Sequence, residues 1–271
     1  MLLCMISVAS IGEHLREWRQ RRRLSQLDLA SEAEISTRHL SFLETGRAQP
    51  SREMVLRLAE RLDVPLRERN TLLVAAGFAP VFPQRTLDDP ALQAARQAVE
   101  LVLTGHEPYP ALAIDRHWTL VASNKAVPPL LAGVEASLLK PPVNVLRLSL
   151  HPQGLAPRIA NLSEWRIHLL TRLQQQIDVT ADATLVALLK ELRGYPAARP
   201  TRAGAPPPRA RDYVSIVVPF ELETDAGTLA FFSTTTVFGT PVDVTLSELA
   251  LESFFPANAA TAEALRGLLV L

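Results

Sequence analysis

"LSQLDLASEAEISTRHLSFLETGRAQPS", residues 24–51, decides how the first part of the chain folds. Two short apolar-periodic runs stand there with a link of only two or three residues. Each run opens on a serine, Ser25 and Ser36, and a Gly46-Arg47 pair closes the second. Isolated helices of roughly eight residues are marginal in water, so each must be held by the other and by its neighbours. Leu29, Ala33, Leu40 and Leu43 have the spacing to seal the inner angle, and Ala30 is small where the helices cross. Outward this leaves Ser36, Thr37, Arg38 and Ser41, short or forked hydrogen-bonding side chains.

Working outward, Ser10 and Glu13 form a capping box that opens "IGEHLREWRQRRR". Leu15 and Trp18 face inward there, while Arg16, Arg19, Arg21, Arg22 and Arg23 are expected to stay wet. Ser25 caps a helix through Ala33, and Ser36 caps one through Thr45, which Gly46 closes in the left-handed conformation. Ser51 caps a fourth helix, on which Val55, Leu58, Ala59 and Leu62 form one stripe, and "DVPLRERNTLLVAAG" reads as a fifth ending at Gly77. Residues 10–77 are thus an all-α five-helix domain.

The chain has 271 residues, 48% of them apolar, so it can bury a sizeable core. Overall charge is balanced at 28 basic against 28 acidic residues, but residues 10–85 carry 13 Arg and 10 acids. A basic N-terminal third suggests that this part meets an anion. The single cysteine, Cys4, excludes an intramolecular disulfide and fits a reducing cytoplasm. "MLLCMISVAS" lacks a positive n-region, so residues 1–9 are read as a disordered leader, with translation starting at Met1 or Met5. No run approaches the roughly 18 apolar residues of a membrane span.

A helix, a tight turn and a second helix, with a third behind, is the arrangement that places one helix in the DNA major groove. That groove is about 12 Å wide and suits the outward side chains. Gln26 and the Ser25 cap sit at a helix N-terminus, which attracts phosphate. "LSQLDLA" and "ISTRHLSFLETGRAQPS" resemble the lambda-repressor-like, Xre-type DNA-binding domain over about residues 10–77. The resemblance implies Gln26 as a phosphate and edge contact, Thr37 and Arg38 at the head of the recognition helix reading bases, and Ser41 one turn on. Phe42 lies one turn on, reading as packing more than as a thymine-methyl contact, and Arg47 and Arg52 lie near the DNA backbone. Arg19 or Arg22 either touches phosphate or belongs to a solvated helix end. One residue departs from the family pattern: Glu34 stands where glycine is usual, and a left-handed residue with a Cβ costs roughly 1–2 kcal/mol.

"FAPVFPQRTLDDP" makes residues 78–89 a proline-bearing linker. Asp89 then caps a helix with Pro90 at its first position. Beyond Gly105 the apolar period switches to two. "PALAIDRHWTLVASN" gives two strands around Asp115-Arg116, and "YVSIVVPFELETDAGTLAFFSTTTVF" gives a hairpin with Val214, Ile216, Val218, Phe220 and Leu222 on one face. "LSELALESFF" reads as a fifth strand and "NAATAEALRGLLVL" as a closing helix. Asn161 and Glu164 look like a capping box for "NLSEWRIHLLTRLQQQI", and residues 195–211 form a Pro/Arg-rich loop. Residues 90–271 are therefore an α+β domain with an antiparallel sheet, one face covered.

"EPYPALAIDRHWTLVASNKAV" and "NVLRLSLHPQGLAPRIANLSEW" resemble the sensor half of MmyB-like Xre regulators. The resemblance implies a PAS-like fold, a five-stranded antiparallel sheet cupping a small-molecule cavity. Pocket candidates are Trp118, Leu148, Trp165, His168, Phe220 and Phe231, though Trp118, Trp165, Phe220, Phe231 and Phe232 also suit a plain core. Leu138, Val145, Leu148, Trp165 and Leu169 offer apolar helix surface, and Leu229 and Phe231 apolar strand surface. Few charges fall on these faces, which favours a small apolar or amphipathic ligand, with Arg147, Arg158 or His168 as its polar anchor.

An enzyme is disfavoured. There is no HExxH, G-x-S-x-G or Gly-rich phosphate loop. The histidines at 14, 39, 106, 117, 151 and 168 have no metal-ligand spacing, and neither metal nor cofactor is expected. The functional expectation is a sequence-specific, DNA-binding homodimer that senses a small molecule. The alternative is a C-terminal domain that docks a protein partner.

Overall fold

The computed structural model describes residues 9–196, 218–225 and 227–268. Residues 1–8 of the leader, 197–211 of the Pro/Arg-rich loop, and Val214 and Ile216 lie outside these. By contacts the chain divides into two compact units. The first is Met1–Arg85 with Asp178–Thr180 and Pro241–Ser247; the second is Thr86–Ile177, Ala181–Thr240 and Glu248–Leu271.

The first unit holds α1 (Ile11–Arg21), α2 (Gln26–Glu32), α3 (Thr37–Glu44), α4 (Arg52–Arg61) and α5 (Leu66–Ala75). Four serines begin four of them. The hydroxyls of Ser10, Ser25, Ser36 and Ser51 accept from the backbone N–H groups of Glu13, Asp28, His39 and Met54 at 3.3, 3.1, 3.1 and 3.2 Å. Ser10–Glu13 is a full capping box, and Asp28 completes another with Ser25. The fifth helix starts at Leu66 rather than Asp63, because Asp63 takes a left-handed φ of +46° and Pro65 sits at the cap. Leu15, Leu29, Leu40, Leu43, Leu58 and Leu62 are fully buried, each contributing roughly 1.5–3 kcal/mol of transfer free energy. Gly12 lets α1 press on α3: a Cβ there would lie 2.5 Å from the Leu43 carbonyl oxygen.

In the second unit Asp89 caps a short 3-10 turn, Pro90–Leu92, that leads into α6 (Gln93–Gly105). Strands β1 (Ala111–Ile114) and β2 (Leu120–Ser123) follow. Then come α7 (Val127–Leu130), α8 (Val145–Leu150), α9 (Leu162–Thr180) and α10 (Ala183–Arg193). Strands β3 (Phe220–Thr224) and β4 (Gly227–Val237) form the hairpin, before β5 (Ala250–Pro256) and α12 (Ala259–Leu268). The five-stranded sheet has the order β2-β1-β5-β4-β3, antiparallel throughout. Leu246 and Ser247, expected to begin the last strand, instead belong to α11 (Val244–Ser247). There, within the first unit, the Val244 N–H donates to the Pro83 carbonyl at 2.8 Å and Arg85 pairs with Asp243 at 3.1 Å.

Two expectations need correction. The sheet is covered on both faces. Ile114, Phe220, Leu222, Leu229 and Phe231 pack with α8 and α9 residues on one face, while Ala111, Ala113 and Leu251 meet Val99 and Leu103 of α6 on the other. Alternation along β1 and β5 sends apolar side chains both ways, so a helix is needed on each side. Asn161 does not cap α9 with its side chain. Its amide instead donates to the Pro219 carbonyl at 2.7 Å and accepts from the Glu221 N–H at 3.3 Å, tying the start of the helix to β3.

Candidate functional site

The first candidate site is the outer face of α2 and α3. The turn between them turns on Glu34, which has φ +57°, a left-handed residue with a Cβ, and α3 ends on Gly46 at φ +72°. Ser36 and Arg38 are exposed and Thr37 and Ser41 half-buried, all at the surface of α3. Arg38 and Arg47 both lie over one ring, their guanidinium carbons 5.3 and 5.9 Å from the Phe42 centroid. Phe42 thus packs, and it also gives two arginines a platform. Among the described residues no carboxylate pairs with Arg38, Arg47 or the exposed Arg52.

Other basic residues are committed inward. Arg19, expected to be wet, is buried: Nε and Nη2 donate to Glu44 at 2.6 and 2.9 Å, and Nη1 donates to the Leu24 carbonyl at 2.9 Å. Arg22 donates to the carbonyls of Leu62 and Asp63 at 2.7 and 2.8 Å, clasping the end of α4, and burial lowers its pKa. Neither arginine is disposed toward phosphate. Gln26 donates its amide to Glu44 at 2.8 Å. The α2 N-terminus also already holds the Asp28 carboxylate, whose pKa the Ser25 hydrogen bonds lower. Burial pushes the Glu44 pKa upward, but hydrogen bonds from Arg19 and Gln26 and the charges of Arg19 and Arg16 outweigh it, so the carboxyl titrates low.

The second candidate site is a cavity of about 110 Å³ between the sheet and α8 and α9. Trp118, Leu148, Trp165, Phe220 and Phe231 line it. His168 does not; half-buried, it stacks on Trp165 with centroids 5.3 Å apart. Of the helix residues expected to cover the sheet, Val145 and Leu169 reach the lining and Leu138 does not. Trp118 has a left-handed φ of +64°, and its indole N–H donates to Gln176 Oε1 at 2.7 Å. The expected anchors are engaged elsewhere. Arg147 grips Glu191 at 2.7 and 2.8 Å, and Arg158 donates to the carbonyls of Leu130, Ala132 and Glu223. The charged residues of the lining are Arg172 and Glu252, missed by sequence reasoning because they lie 80 positions apart and meet only across α9 and β5.

Among the described residues no helix is long and apolar enough to cross a membrane, and no cluster of three or more His, Cys, Asp or Glu side chains could hold a metal.

These two sites define a helix-turn-helix unit followed by a cupped-sheet unit with an apolar, partly open cavity. Residues 10–72 match the family model of a helix-turn-helix domain, and residues 95–268 match that of the MmyB-like transcription regulator ligand binding domain. The chain belongs to the MmyB-like transcription regulator family. A putative HTH-type transcriptional regulatory protein of Methanoculleus marisnigri is 34% identical over 116 residues, 41% of this chain and 37% of the relative. The HTH-type transcriptional regulator DdrOP3 of Deinococcus deserti is 40% identical over 90 residues, 30% of this chain and 67% of that one. The chain thus spans little more than a third of the first relative's length. The solved clp gene regulator ClgR of Corynebacterium glutamicum is 26% identical, with 36% of this chain and 90% of that one covered, at a TM-score of only 0.22.

Proposed function

We propose that this regulator binds a (pseudo)palindromic operator as a cytoplasmic homodimer and that its C-terminal domain senses a small, mostly apolar molecule. Half-sites then lie one turn apart, ~34–36 Å. The DNA contacts come from Ser36, Thr37, Arg38, Ser41, Arg47 and Arg52, and from Gln26 through the amide oxygen and second N–H that its bond to Glu44 leaves. One headpiece has too small a footprint for useful specificity, which supports the dimer. The observation that carries the sensing reading is the apolar cavity of about 110 Å³. An apolar cavity of ~150 Å³ admits benzene, so this one takes a group somewhat smaller without rearrangement. Protein docking on the sheet is the second reading. Phe232 and Val237 of β4, 38% and 61% exposed, favour it, but an apolar cavity between sheet and helices has no use in docking on the sheet.

Two experiments test the reading. In operator selection, Arg38→Ala should relax preference at one or two base pairs by ~1–3 kcal/mol, while Arg47→Ala should weaken all sequences and reduce the salt slope by about one. Uniform loss in both variants would refute the assignment of the reading face. A thermal-shift screen of small apolar compounds should stabilise the protein by mass action, ~2.7 kcal/mol at a hundredfold excess over Kd. A screen in which only nucleotides shift the melt points away from the cavity.

A further inference from the structure

Resting on the reading of the cavity as a small-molecule site, we infer that the Arg172–Glu252 pair makes it selective for uncharged ligands carrying both a hydrogen-bond donor and an acceptor, and against carboxylates. The pair is set into a wall that is otherwise almost wholly apolar. Arg172 Nη2 lies 2.6 Å from Glu252 Oε1, and Nη1 lies 3.5 Å from Oε2. Thr235 locks the contact, accepting from Arg172 Nη2 at 3.0 Å and donating to Glu252 Oε1 at 2.8 Å. The guanidinium also lies over the Trp118 ring, 5.0 Å from its centroid. The Glu252 side chain retains 6% of its exposure and that of Arg172 26%.

These contacts decide the ligand's charge. A lone arginine in an apolar wall would invite an anion, because a desolvated charge requires a counter-charge. Here that requirement is met from within by Glu252. The wall has a cation and an anion side by side and no net charge. A ligand carboxylate entering it would lose its hydration, gain no unmatched cation, and stand close to a second carboxylate. An ionised carboxylate also has acceptors only. A primary amide has both functions: its carbonyl accepts from the guanidinium and its N–H donates to the carboxylate. The remaining polar member of the lining is Ser149, whose Oγ accepts from the Trp165 indole at 3.0 Å. Its own hydroxyl hydrogen is a further donor.

Pentanamide and pentanoate have the same number of heavy atoms, and the cavity's open side leaves room for the end of the chain that its small volume does not hold, so they are the probes. Binding to the full-length chain is read from the fluorescence of Trp118 and Trp165, which line the cavity. At pH 7.5 pentanamide should bind at least about tenfold more tightly than pentanoate. Glu252→Gln, which leaves Arg172 uncompensated, should reverse that preference by about tenfold or more. Should the variant fail to fold, the wild-type protein supplies the second measurement. Between pH 7.5 and 6 apparent pentanoate affinity should rise about tenfold per unit, because only the protonated acid enters. Pentanamide affinity should stay flat, which also controls for His168. Pentanoate binding as tightly as pentanamide, or a preference unchanged in Glu252→Gln, overturns the charge rule and leaves a small-molecule cavity standing. If neither probe binds the wild-type protein or the variant, the sensing reading falls and this inference falls with it.

Discussion

Replacing Arg19 with methionine should destabilise the N-terminal helical unit by about 3–5 kcal/mol, the usual result of removing one partner from a buried ion pair. The structure says why so long a side chain matters. Arg19→Met removes two hydrogen bonds to Glu44, at 2.6 and 2.9 Å, and one to the Leu24 carbonyl at 2.9 Å. It leaves the Glu44 carboxylate, with 2% of its side chain exposed, to the Gln26 amide alone. Adding Glu44→Met removes the stranded charge, so the double variant should recover to within ~1–2 kcal/mol of wild type. Urea titration of the full-length chain followed by circular dichroism reads this directly. At ~1–3 kcal/mol per molar, the single variant should unfold at a midpoint lower by 1 M or more. The Glu44 carboxyl titrates lower in the fold than its ordinary 4.5. Its stabilisation is therefore complete above that value and is lost as pH falls through the folded one. A single variant costing under ~1 kcal/mol, or a double variant worse than the single, would refute the reasoning.

Gly12→Ala should destabilise the same unit by roughly 1–3 kcal/mol, because its Cβ would lie 2.5 and 2.7 Å from the backbone oxygens of Leu43 and Glu44. A neutral result in the same titration would mean that α1 and α3 can part at no penalty. Glu34→Gly should be neutral or stabilising by up to ~1 kcal/mol, since φ +57° suits glycine, and a clear loss would reveal a role for the carboxylate. Burial first, then the charge of Arg172, lowers the pKa of His168 against the opposing pull of Glu252. Its neutral form is the native one, so the stability it contributes is present above its ordinary 6.5 and lost as pH falls toward the lower folded value. Melts at pH 7.5 and 5.5 should show a smaller gap in His168→Phe, which keeps the stacking on Trp165; an unchanged gap assigns the acid sensitivity elsewhere.

The helices were legible because their signals are local. Ser10, Ser25, Ser36 and Ser51 each announce a helix within four residues, and each hydroxyl does accept from the third residue on. Glu34 was legible as a left-handed residue only through the family resemblance, since glycine is usual at that position of the turn. The strands at residues 111–123 and the hairpin could be read from their period of two, and the bend at Asp115-Arg116 from its polar pair. Asn161 misled because its amide is recruited by Pro219 and by Glu221 of β3, 58 and 60 residues further on. No local pattern can announce a partner at that range.

The ion pairs show where sequence reading stopped and where it had more to give. Arg19 and Glu44 are 25 positions apart, Arg172 and Glu252 are 80, and no spacing rule joins either pair. Yet each acid stands at a position whose period already points inward. Glu44 follows Leu40 by four residues on α3, one helical turn, and Leu40 is fully buried. Glu252 alternates with Phe254 on β5, and both line the cavity. A carboxylate on an apolar face must find a cation, since an unpaired buried charge is costly beyond what packing can offset. The inward acid therefore predicts an inward arginine even when its position cannot be named. For Glu44, that argument moves Arg19 from a helix's wet side to its core. For Glu252, it places a neutralised charge pair in the cavity wall, where an unpaired cation would have favoured an anionic ligand.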